Sequence, residues 1–442
     1  MSNNTQRSSN PRNNLLGFLE SQPDLRQAFE KVREIISIIR DFGYVRIFTL
    51  PTFEELIAAG QVLKILENND IRASVNVFPY IETSEDVPVI SIGMRFPSKK
   101  IPVIEIVQGP LVKDENRVSF WLKNGLVSSI VIKVLEEIFV VKDDIKVYSL
   151  VAAYASLNNI GELEEILIDE LEEAGIVEKG FTFSFYKWKQ LPIHYSVAYT
   201  AIPYFLGISA NPQKVESYFK SKNIDVPSDA TILDILSEED KITQVIKVLL
   251  EYLSNVSKRE RNVKEILYEG VDLKEDASKR GDLPLILRHG FKQGSIVFLT
   301  VLDVSLYHVV SLVTLGKYYY RAEDLYISTL KFNSTELPIA LSSLKVINNV
   351  GRKGSLLHFS SIPPSPTLTF RIILDLGYIQ EKSHVVGFSD GDQICVPIDS
   401  IRYAGFDITN VIRKAINKGW QISKGCLCKV GGSKEFKEFL SL

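Results

Sequence analysis

The sequence contains few cysteines and histidines, the residues that form disulfides and bind transition-metal ions. It contains three cysteines and two methionines among 442 residues. Three cysteines cannot form a framework of several disulfides, and the single residue between Cys426 and Cys428 excludes the C-x-x-C spacing of redox and zinc motifs. The five histidines show no metal-ligand spacing and are His194, His289, His308, His358 and His384. We therefore expect these residues to be structural.

Long apolar segments are also missing. No apolar run reaches the about 18–20 residues that cross a bilayer, so we expect no membrane partner. Residues 1–13 are polar and lack the apolar core of a secretory signal, which predicts a disordered tail and a cytoplasmic protein. The scarcity of methionine and cysteine, beside abundant isoleucine, lysine, glutamate and tyrosine, favours a thermophilic source.

The chain lacks a large excess of either charge. Its 51 lysines and arginines oppose 54 aspartates and glutamates, which gives a formal net charge of −3. A protein that coats nucleic acid by bulk electrostatic attraction needs a basic surface. Any contact with nucleic acid must therefore use a local patch or groove, which favours a subunit of a larger assembly.

Apolar residues in the first part of the chain alternate between helical and strand patterns. A helical pattern runs from Leu25 to Ile39, and a second one from about Phe53 to Glu67. Short apolar segments typical of strands cover 44–49, 71–78, 88–92 and 102–107. Strands that alternate with helices indicate a parallel sheet with helices on both faces. The sequence therefore predicts an α/β domain over residues 14–175.

The rest of the chain predicts two further parts. Residues 176–280 read as a mostly helical connecting region, and residues 281–442 as a second, smaller α/β domain. In that domain we predict strands in the apolar segments Ser295–Val304, Leu306–Thr314, Thr367–Leu374 and His384–Phe388. We predict helices near Ser334–Asn349 and Ile408–Lys418. The charge run Lys258–Arg261 is interpreted as a solvated helix end.

The residues at the carboxyl ends of three predicted strands follow the order and spacing of a known set of motifs, although most of the diagnostic residues differ. Ligands of open parallel sheets collect beyond the carboxyl ends of the strands. The segment IFTLPTFEELIAAGQVLKIL (47–66), the segment ISIG (90–93) and the segment EIVQGP (105–110) resemble, in order and spacing, the motifs of the DHH phosphoesterase family, which includes the RecJ exonucleases. The resemblance implies a DHH phosphoesterase-like parallel-sheet domain and a DHH-associated domain.

The resemblance also implies that the metal ligands of the family are replaced. The family's ligand positions fall, in chain order, on Leu50, Thr52, Glu54, Ser91, Val107, Gln108 and Gly109. Two-metal hydrolysis needs several carboxylate and imidazole ligands, and only Glu54 offers one. We therefore predict a protein that is not an enzyme, with no catalytic residue, no bound metal and no cofactor.

An inactive chain of this kind resembles the CDC-forty-five group of replication factors, which has RecJ-like counterparts in archaea. That resemblance implies a nucleoid-associated replisome subunit that bridges the MCM helicase and the GINS complex and contacts single-stranded DNA. Near the C-terminus, KGCLCKVGGS (424–433) takes the place of the family's glycine-rich GGGHxxAAG loop, with Cys428 at the histidine position. Without histidine nearby, Cys426 and Cys428 do not favour a metal site.

Two groups of basic and aromatic residues are candidates for contact with single strands. The first group is Lys187, Trp188 and Lys189, which follow further aromatic residues. Such a segment predicts either a stacking platform beside cations or an edge strand with buried aromatic side chains. The second group surrounds the glycine-rich loop and consists of Arg413, Lys414, Lys418, Trp420, Lys424 and Lys429. In RecJ-like proteins that region faces the nucleic acid.

Two alternative functions remain open at this point. The first is an active single-strand nuclease or phosphoesterase. It could use Glu54 together with the carboxylates Glu55, Glu105 and Asp114, which lie near the predicted ligand positions. The chain could also be an accessory subunit of a separate RecJ-like repair nuclease. A manganese-dependent digestion assay and the identity of the bound partners distinguish these functions from a replisome subunit.

Overall fold

The computed structural model describes most of the chain in two compact units. The described residues are 23–79, 87–97, 100–107, 112–114, 116–120, 125–156, 160–278, 287, 290–315, 320–349, 352–379 and 383–442. The tail predicted over residues 1–13 lies outside them. The first unit ends at Val177 and the second runs from Glu178 to Leu442, and Pro51–Phe53 group with the second unit.

The first unit is built on a mainly parallel sheet. Its strands are β1 (Tyr44–Thr49), β2 (Arg72–Val77), β3 (Val89–Ile92), β4 (Val103–Ile106), β5 (Val112–Asp114) and β6 (Arg117–Phe120). The strand order is β2-β1-β3-β4-β6-β5, in which every neighbouring pair is parallel except β5 and β6. Both faces of β3 and β4 are buried, as expected for a parallel sheet between helices.

Helices precede and follow the strands of this sheet along the chain. They are α1 (Pro23–Phe42), α2 (Phe53–Glu67), α3 (Val127–Glu136), α4 (Asp143–Ala155) and α5 (Glu162–Glu173). The strands predicted at 44–49, 71–78, 88–92 and 102–107 are confirmed within one residue at each end. The edge strand β5 and its neighbour β6 were not predicted, because each is only three or four residues long and contains charged residues among its apolar ones.

The second unit begins with a helical segment enclosed by two paired strands. The strands are β7 (Val177–Phe183) and β8 (Leu267–Leu273). Between them lie α6 (Ile193–Ala198), α7 (Pro212–Ser221), α8 (Ile232–Ile235), α9 (Glu239–Val256) and a 3-10 turn at Val263–Glu265. Apolar residues of these elements form a shared core around Phe205 and Leu249. This segment matches the region predicted to be mostly helical.

The remainder of the second unit carries a mixed sheet. Its strands are β9 (Lys345–Asn349), β10 (Arg352–His358), β11 (His384–Ser389), β12 (Gln393–Pro397), β13 (Gln421–Ser423) and β14 (Cys426–Val430), in the order β13-β14-β12-β11-β10-β9. Its helices are α10 (Glu275–Ser278), α11 (Phe291–Leu299), α12 (Leu306–Leu315), α13 (Tyr320–Ser342), α14 (Pro366–Asp375), α15 (Ile398–Tyr403), α16 (Ile408–Asn417) and α17 (Ser433–Phe439), with a 3-10 turn at Thr300–Asp303. The division of this unit at residue 280 stays a prediction.

Three of the strands predicted in this part are wrong. The segments 295–304, 306–314 and 367–374 lie in α11 with its 3-10 extension, in α12 and in α14. Nearly every residue of α11 and α14 is buried, so these helices lack the polar face that reveals a helical period. A short apolar run without such a face fits a buried strand equally well. The helix predicted over 334–349 ends at Ser342, and the strand β9 follows it.

The charge run Lys258–Arg261 is not a solvated helix end. The Arg261 side chain is fully buried and donates hydrogen bonds to both carboxylate oxygens of Asp375 at 2.9 and 3.1 Å. Arg259 donates to the same carboxylate at 2.9 Å and forms a two-bond pair with Glu265. These arginines therefore tie the region before β8 to the end of α14. Across the part of the chain that is described, no helix is long and apolar enough to span a membrane.

Candidate functional site

The predicted ligand positions meet at the carboxyl end of the first sheet. The Leu50 amide donates to the Ile92 carbonyl at 3.4 Å, and the Gly93 amide donates to the Ile106 carbonyl at 2.7 Å. These bonds continue the ladders of β1, β3 and β4 by one residue beyond the strand ends. The structure thus brings Leu50, Ser91 and Val107 to one edge, where parallel sheets collect ligands. Gln108 and Gly109 lie outside the described residues.

The side chains at this end of the sheet are buried, and their contacts stabilise the fold. Leu50 and Val107 are apolar and buried. The Ser91 hydroxyl donates to the carbonyl of Met94 at 2.6 Å, which closes the turn that follows β3. Thr52 is also buried, and it groups with the second unit. None of these four side chains is a carboxylate or an imidazole, the groups that bind catalytic divalent ions in two-metal sites.

Glu54 caps a helix. Its Oε1 accepts a hydrogen bond from the backbone amide of Val127 at 2.6 Å, and Val127 is the first residue of α3. The preceding residue, Leu126, has no side chain that could cap the helix. A carboxylate at a helix N-terminus satisfies an otherwise unbonded amide and interacts favourably with the helix dipole. The one predicted ligand position that carries a carboxylate therefore serves the fold.

A second carboxylate completes this cap. Glu164 of α5 is fully buried, and its Oε1 accepts from the Leu126 amide at 3.0 Å. Its Oε2 accepts from the amide of Gly161 at 2.9 Å, so the same side chain caps its own helix. Sequence reasoning missed both roles, because Glu54 and Val127 are 73 positions apart. The signal in the sequence was negative: Leu126 cannot cap the apolar helix that it precedes.

Gly93 follows β3 in a position that only a glycine fits well. Its φ of +76° lies in the left-handed region, and a Cβ atom at this position would lie 2.6 Å from Cγ of Glu55. A side chain at residue 93 would therefore be strained and would collide with Glu55. The missing side chain at residue 93 leaves the space that the buried Glu55 side chain occupies.

The other carboxylates considered for an active site are also engaged in the fold. Glu105 of β4 is fully buried and accepts from the Phe96 amide at 2.8 Å and from the Ser119 hydroxyl at 2.6 Å. Arg117 lies 3.5 Å from Glu105 and donates to the Phe96 carbonyl. The Asp114 side chain lies outside the described part of the chain. Within the described residues, no three histidine, cysteine, aspartate or glutamate side chains are grouped to hold a metal ion.

The first group of nucleic-acid candidates does not form a stacking platform. The Trp188 ring is 5% exposed and packs against Phe183, which places it in the core of the helical segment. The Lys187 ammonium pairs with Glu323 at 2.6 Å, and that of Lys189 pairs with Asp272 at 3.0 Å. β7 ends at Phe183, and Trp188 lies in the turn that follows it. The aromatic side chains are therefore buried, as the alternative interpretation expected, but the segment is not one edge strand. The contact of Lys187, Trp188 and Lys189 with nucleic acid stays a prediction, and the buried ring of Trp188 offers no free face for stacking.

The second group divides into a buried ring and cations around it. Trp420 is 3% exposed and packs against Phe439, so it cannot stack on a base. Arg413, Lys414, Lys418 and Lys424 are exposed, and Lys424 occupies the turn between β13 and β14 with a φ of +58°. The Lys429 ammonium donates to the carbonyl of Lys418 at 3.0 Å. The structure thus brings Lys418 and Lys429 together, and most of the positive charges around the loop face solvent.

One solved structure shares the fold of this chain, and others resemble it more weakly. A crystal structure of CDC45 from Entamoeba histolytica is similar with a TM-score of 0.58 at 9% identity, over 93% of this chain and 97% of that chain. A structure of the exonuclease RecJ bound to manganese covers 94% of this chain and 92% of its own at 10% identity, with a TM-score of 0.38. RecJ of Thermus thermophilus with Mn²⁺ gives a TM-score of 0.35 at 9% identity, over 94% of this chain and 53% of that chain.

The likeness to CDC45 extends over nearly the whole of both chains and shows the fold. The predicted α/β architecture, with a parallel sheet, a helical middle region and a second α/β part, is confirmed. No protein-family model matches the sequence, and no curated protein is similar to it. An identity of 9% shows a common fold. It does not allow the role of any single residue of CDC45 to be assigned to a residue of this chain.

Proposed function

We propose that this chain is a non-catalytic component of the DNA replication machinery, with a role of the CDC45 type. The hydrogen bond between Glu54 and the Val127 amide carries the proposal, because it assigns the one suitable ligand of the degenerate site to a helix cap. Two-metal hydrolysis requires several oxygen and nitrogen ligands that converge on ions about 3.5–4 Å apart. Apolar Leu50 and Val107 occupy positions where such ligands are needed.

The partners that we propose are the MCM helicase and the GINS complex, which this chain bridges at the replication fork. The fold shared with CDC45 over 93% of the chain supports this assignment. A scaffold whose catalytic positions are replaced while its sheet and helices persist is best explained by what it binds. We also propose that the chain associates with the nucleoid and that its source is archaeal.

Co-purification tests the partner assignment. Tagged full-length protein from native extract is expected to retain both GINS and MCM through washes at moderate salt. Purified GINS mixed with the chain should then elute earlier in size-exclusion chromatography than either component alone. Recovery of neither GINS nor MCM would overturn the bridging role. Recovery of a RecJ-like nuclease in their place would establish the accessory role in repair.

Contact with single-stranded DNA is the second part of the proposal. Arg413, Lys418 and Lys424 are exposed, and cations near a nucleic acid backbone release counterions on binding. Each phosphate contact contributes about 0.7 to the slope of log affinity against log salt for single strands. Replacing Arg413, Lys418 and Lys424 by glutamine should reduce that slope by about 2. Lys220→Gln, on an exposed helix surface elsewhere in the unit, is the control.

A nuclease assay decides between this proposal and an active enzyme. The chain is expected to leave labelled single-stranded DNA intact with manganese at any concentration tested. The decisive variant is Glu54→Gln, because its amide oxygen can still accept the hydrogen bond from Val127. Digestion that disappears in Glu54→Gln, at an unchanged unfolding midpoint, would show that Glu54 serves catalysis and would refute the non-catalytic role.

A further inference from the structure

All three cysteines of the chain lie together on two neighbouring strands. Cys395 is on β12, and Cys426 and Cys428 are on β14. The strands pair antiparallel, with Cys395 opposite Cys428 and Pro397 opposite Cys426. Cys426 and Cys428 are two residues apart, so they face the same side of the sheet as Cys395. Residues that are 31 and 33 positions apart in the sequence thus form one thiol cluster.

The backbone ladder sets the distance across the pair. The Ile398 amide donates to the Gly425 carbonyl, and the Gly431 amide donates to the Asp392 carbonyl, both at 2.9 Å. Hydrogen-bonded and non-hydrogen-bonded pairs alternate along antiparallel strands. Cys395 is three residues from each of these anchors, so Cys395 and Cys428 form a non-hydrogen-bonded pair. In such pairs the Cα atoms are about 4.5 Å apart, which is within the range that disulfides bridge.

The sulfur atoms are poised for reaction. The Sγ atoms of Cys395 and Cys428 are 3.0 Å apart. Cys395 and Cys426 are buried, while Cys428 is partly exposed, so a small reagent can reach Cys428 first. Hydrogen bonds from the Cys395 and Cys426 thiols lower the pKa of the Cys428 thiol, and the positive charge of Lys424 acts in the same direction. The thiolate is the nucleophilic form of cysteine.

We infer that Cys395 and Cys428 are a reversible oxidative modification site, in which peroxide converts the two thiols into an intrachain disulfide. The Cys428 thiolate attacks one oxygen of hydrogen peroxide, the O–O bond breaks, and a sulfenic acid and hydroxide form. The Cys395 sulfur then attacks the Cys428 sulfur and displaces the hydroxyl group. The proton of Cys395 and the displaced hydroxide leave as water. Two thiols lose two electrons, and one peroxide becomes two waters.

The site goes beyond the proposed function and does not depend on it. The bond would link β12 to β14 beside Lys424 and Lys429, two cations of the loop. A dithiol reductant returns both thiols by exchange. Cys426 lies diagonal to Cys395 and shares its hydrogen bonds, so it is the competing partner that an experiment must separate from Cys428.

The test uses full-length protein treated with hydrogen peroxide, quenched with a thiol alkylating reagent and digested with trypsin. Residues 383–402 carry Cys395, and residues 425–429 carry both other cysteines, so the expected product is one linked pair of these peptides. One of the three thiols should remain alkylated, and fragmentation should locate it at Cys426. Treatment with dithiothreitol before alkylation should restore all three. Urea-unfolded protein is the control and should form the link far more slowly.

Matched variants assign the roles. Cys426→Ser, whose hydroxyl can still donate a hydrogen bond to Cys428, is expected to keep forming the linked pair within about threefold of the unmodified rate, whereas Cys428→Ser should slow its formation at least tenfold. The peptide fragmentation of the unmodified chain decides the same question if either variant fails to fold. A link through Cys426, disulfides only between chains, or oxidation only to sulfinic and sulfonic acids would overturn the inference.

Discussion

The carboxylate of Glu54 and the backbone amide of Val127 are 2.6 Å apart, and the hydrogen bond between them joins the start of α2 to the start of α3. A divalent ion at this carboxylate would bring positive charge to the positive end of the α3 dipole. Capping and metal binding therefore compete for one side chain. Glu54 is buried, so its hydrogen bond to the Val127 amide is shielded from solvent.

Removal of the Glu54 carboxylate should destabilise the first unit. Glu54→Ala leaves the Val127 amide without this partner in a buried position, which costs about 1–3 kcal/mol of unfolding free energy. Glu54→Gln keeps an oxygen acceptor and should cost less, because only the charge of the bond is lost. Urea denaturation followed by circular dichroism measures both. Equal stability of Glu54→Ala and the unmodified chain would contradict the capping role.

Gly93 provides a test that separates backbone strain from collision. Gly93→Ala forces a side chain into a φ of +76° and places its Cβ 2.6 Å from Cγ of Glu55. Gly43→Ala is the matched control, because Gly43 has a φ of +71° and no atom lies within 4 Å of the position that its new methyl group would take. The control should cost about 1–2 kcal/mol from conformation alone. Gly93→Ala should cost more, and equal losses of unfolding free energy would show that Glu55 moves freely.

Much of the first unit could be predicted because its strands are short apolar segments and the helices before and after β1 carry apolar residues at helical spacing. The same signal placed Leu50, Ser91 and Val107 at one sheet edge, where the backbone ladder indeed brings them. It failed for α11 and α14, which are buried on nearly all sides and so lose the helical period. The partners of Glu54 and Asp375 are contacts across 73 and more than 100 positions, which no local pattern records.

Asp375 should be a main determinant of the stability of the second unit. It accepts hydrogen bonds from Arg259, Arg261 and the Tyr204 amide, and the Arg261 side chain is fully buried. Asp375→Asn keeps acceptor oxygen for the amide but leaves the buried guanidinium of Arg261 with less negative charge. Breaking one side of a buried ion pair costs about 3–5 kcal/mol.

The exposed pair of Lys220 and Glu216 is the control for this variant. It lies within α7 at a distance of 2.7 Å, and the lysine side chain is 72% exposed. Solvent-exposed ion pairs contribute little to stability, so Glu216→Gln should leave the urea midpoint unchanged. We expect a large decrease in the urea midpoint for Asp375→Asn and no decrease for Glu216→Gln. Similar midpoints for the two variants would mean that the buried charges are relaxed by water.

Asp303 should give the second unit a distinct dependence on pH. Burial raises the pKa of its carboxyl group to about 6, although Ser365 and Thr367 donate hydrogen bonds to it. In the unfolded chain the pKa is about 3.9, so between about pH 4 and pH 6 the folded state binds more protons. The stabilisation linked to that proton is present at pH 4 and is lost as the pH rises through 6, on the order of 3 kcal/mol.

The variant Asp303→Asn isolates this effect from the other carboxylates, because an amide does not titrate. The difference in unfolding free energy between the unmodified chain and Asp303→Asn should favour the unmodified chain most at pH 4.5 and least at pH 7. Urea titrations at pH 4.5, 5.5, 6.5 and 7.5 measure it, with constant ionic strength. The buried position of Asp303 means that salt screens little of the shift, so the trend should persist at 0.5 M salt. A difference that does not change with pH would show that water reaches the carboxylate and that Asp303 ionises in the folded chain as it does in the unfolded one.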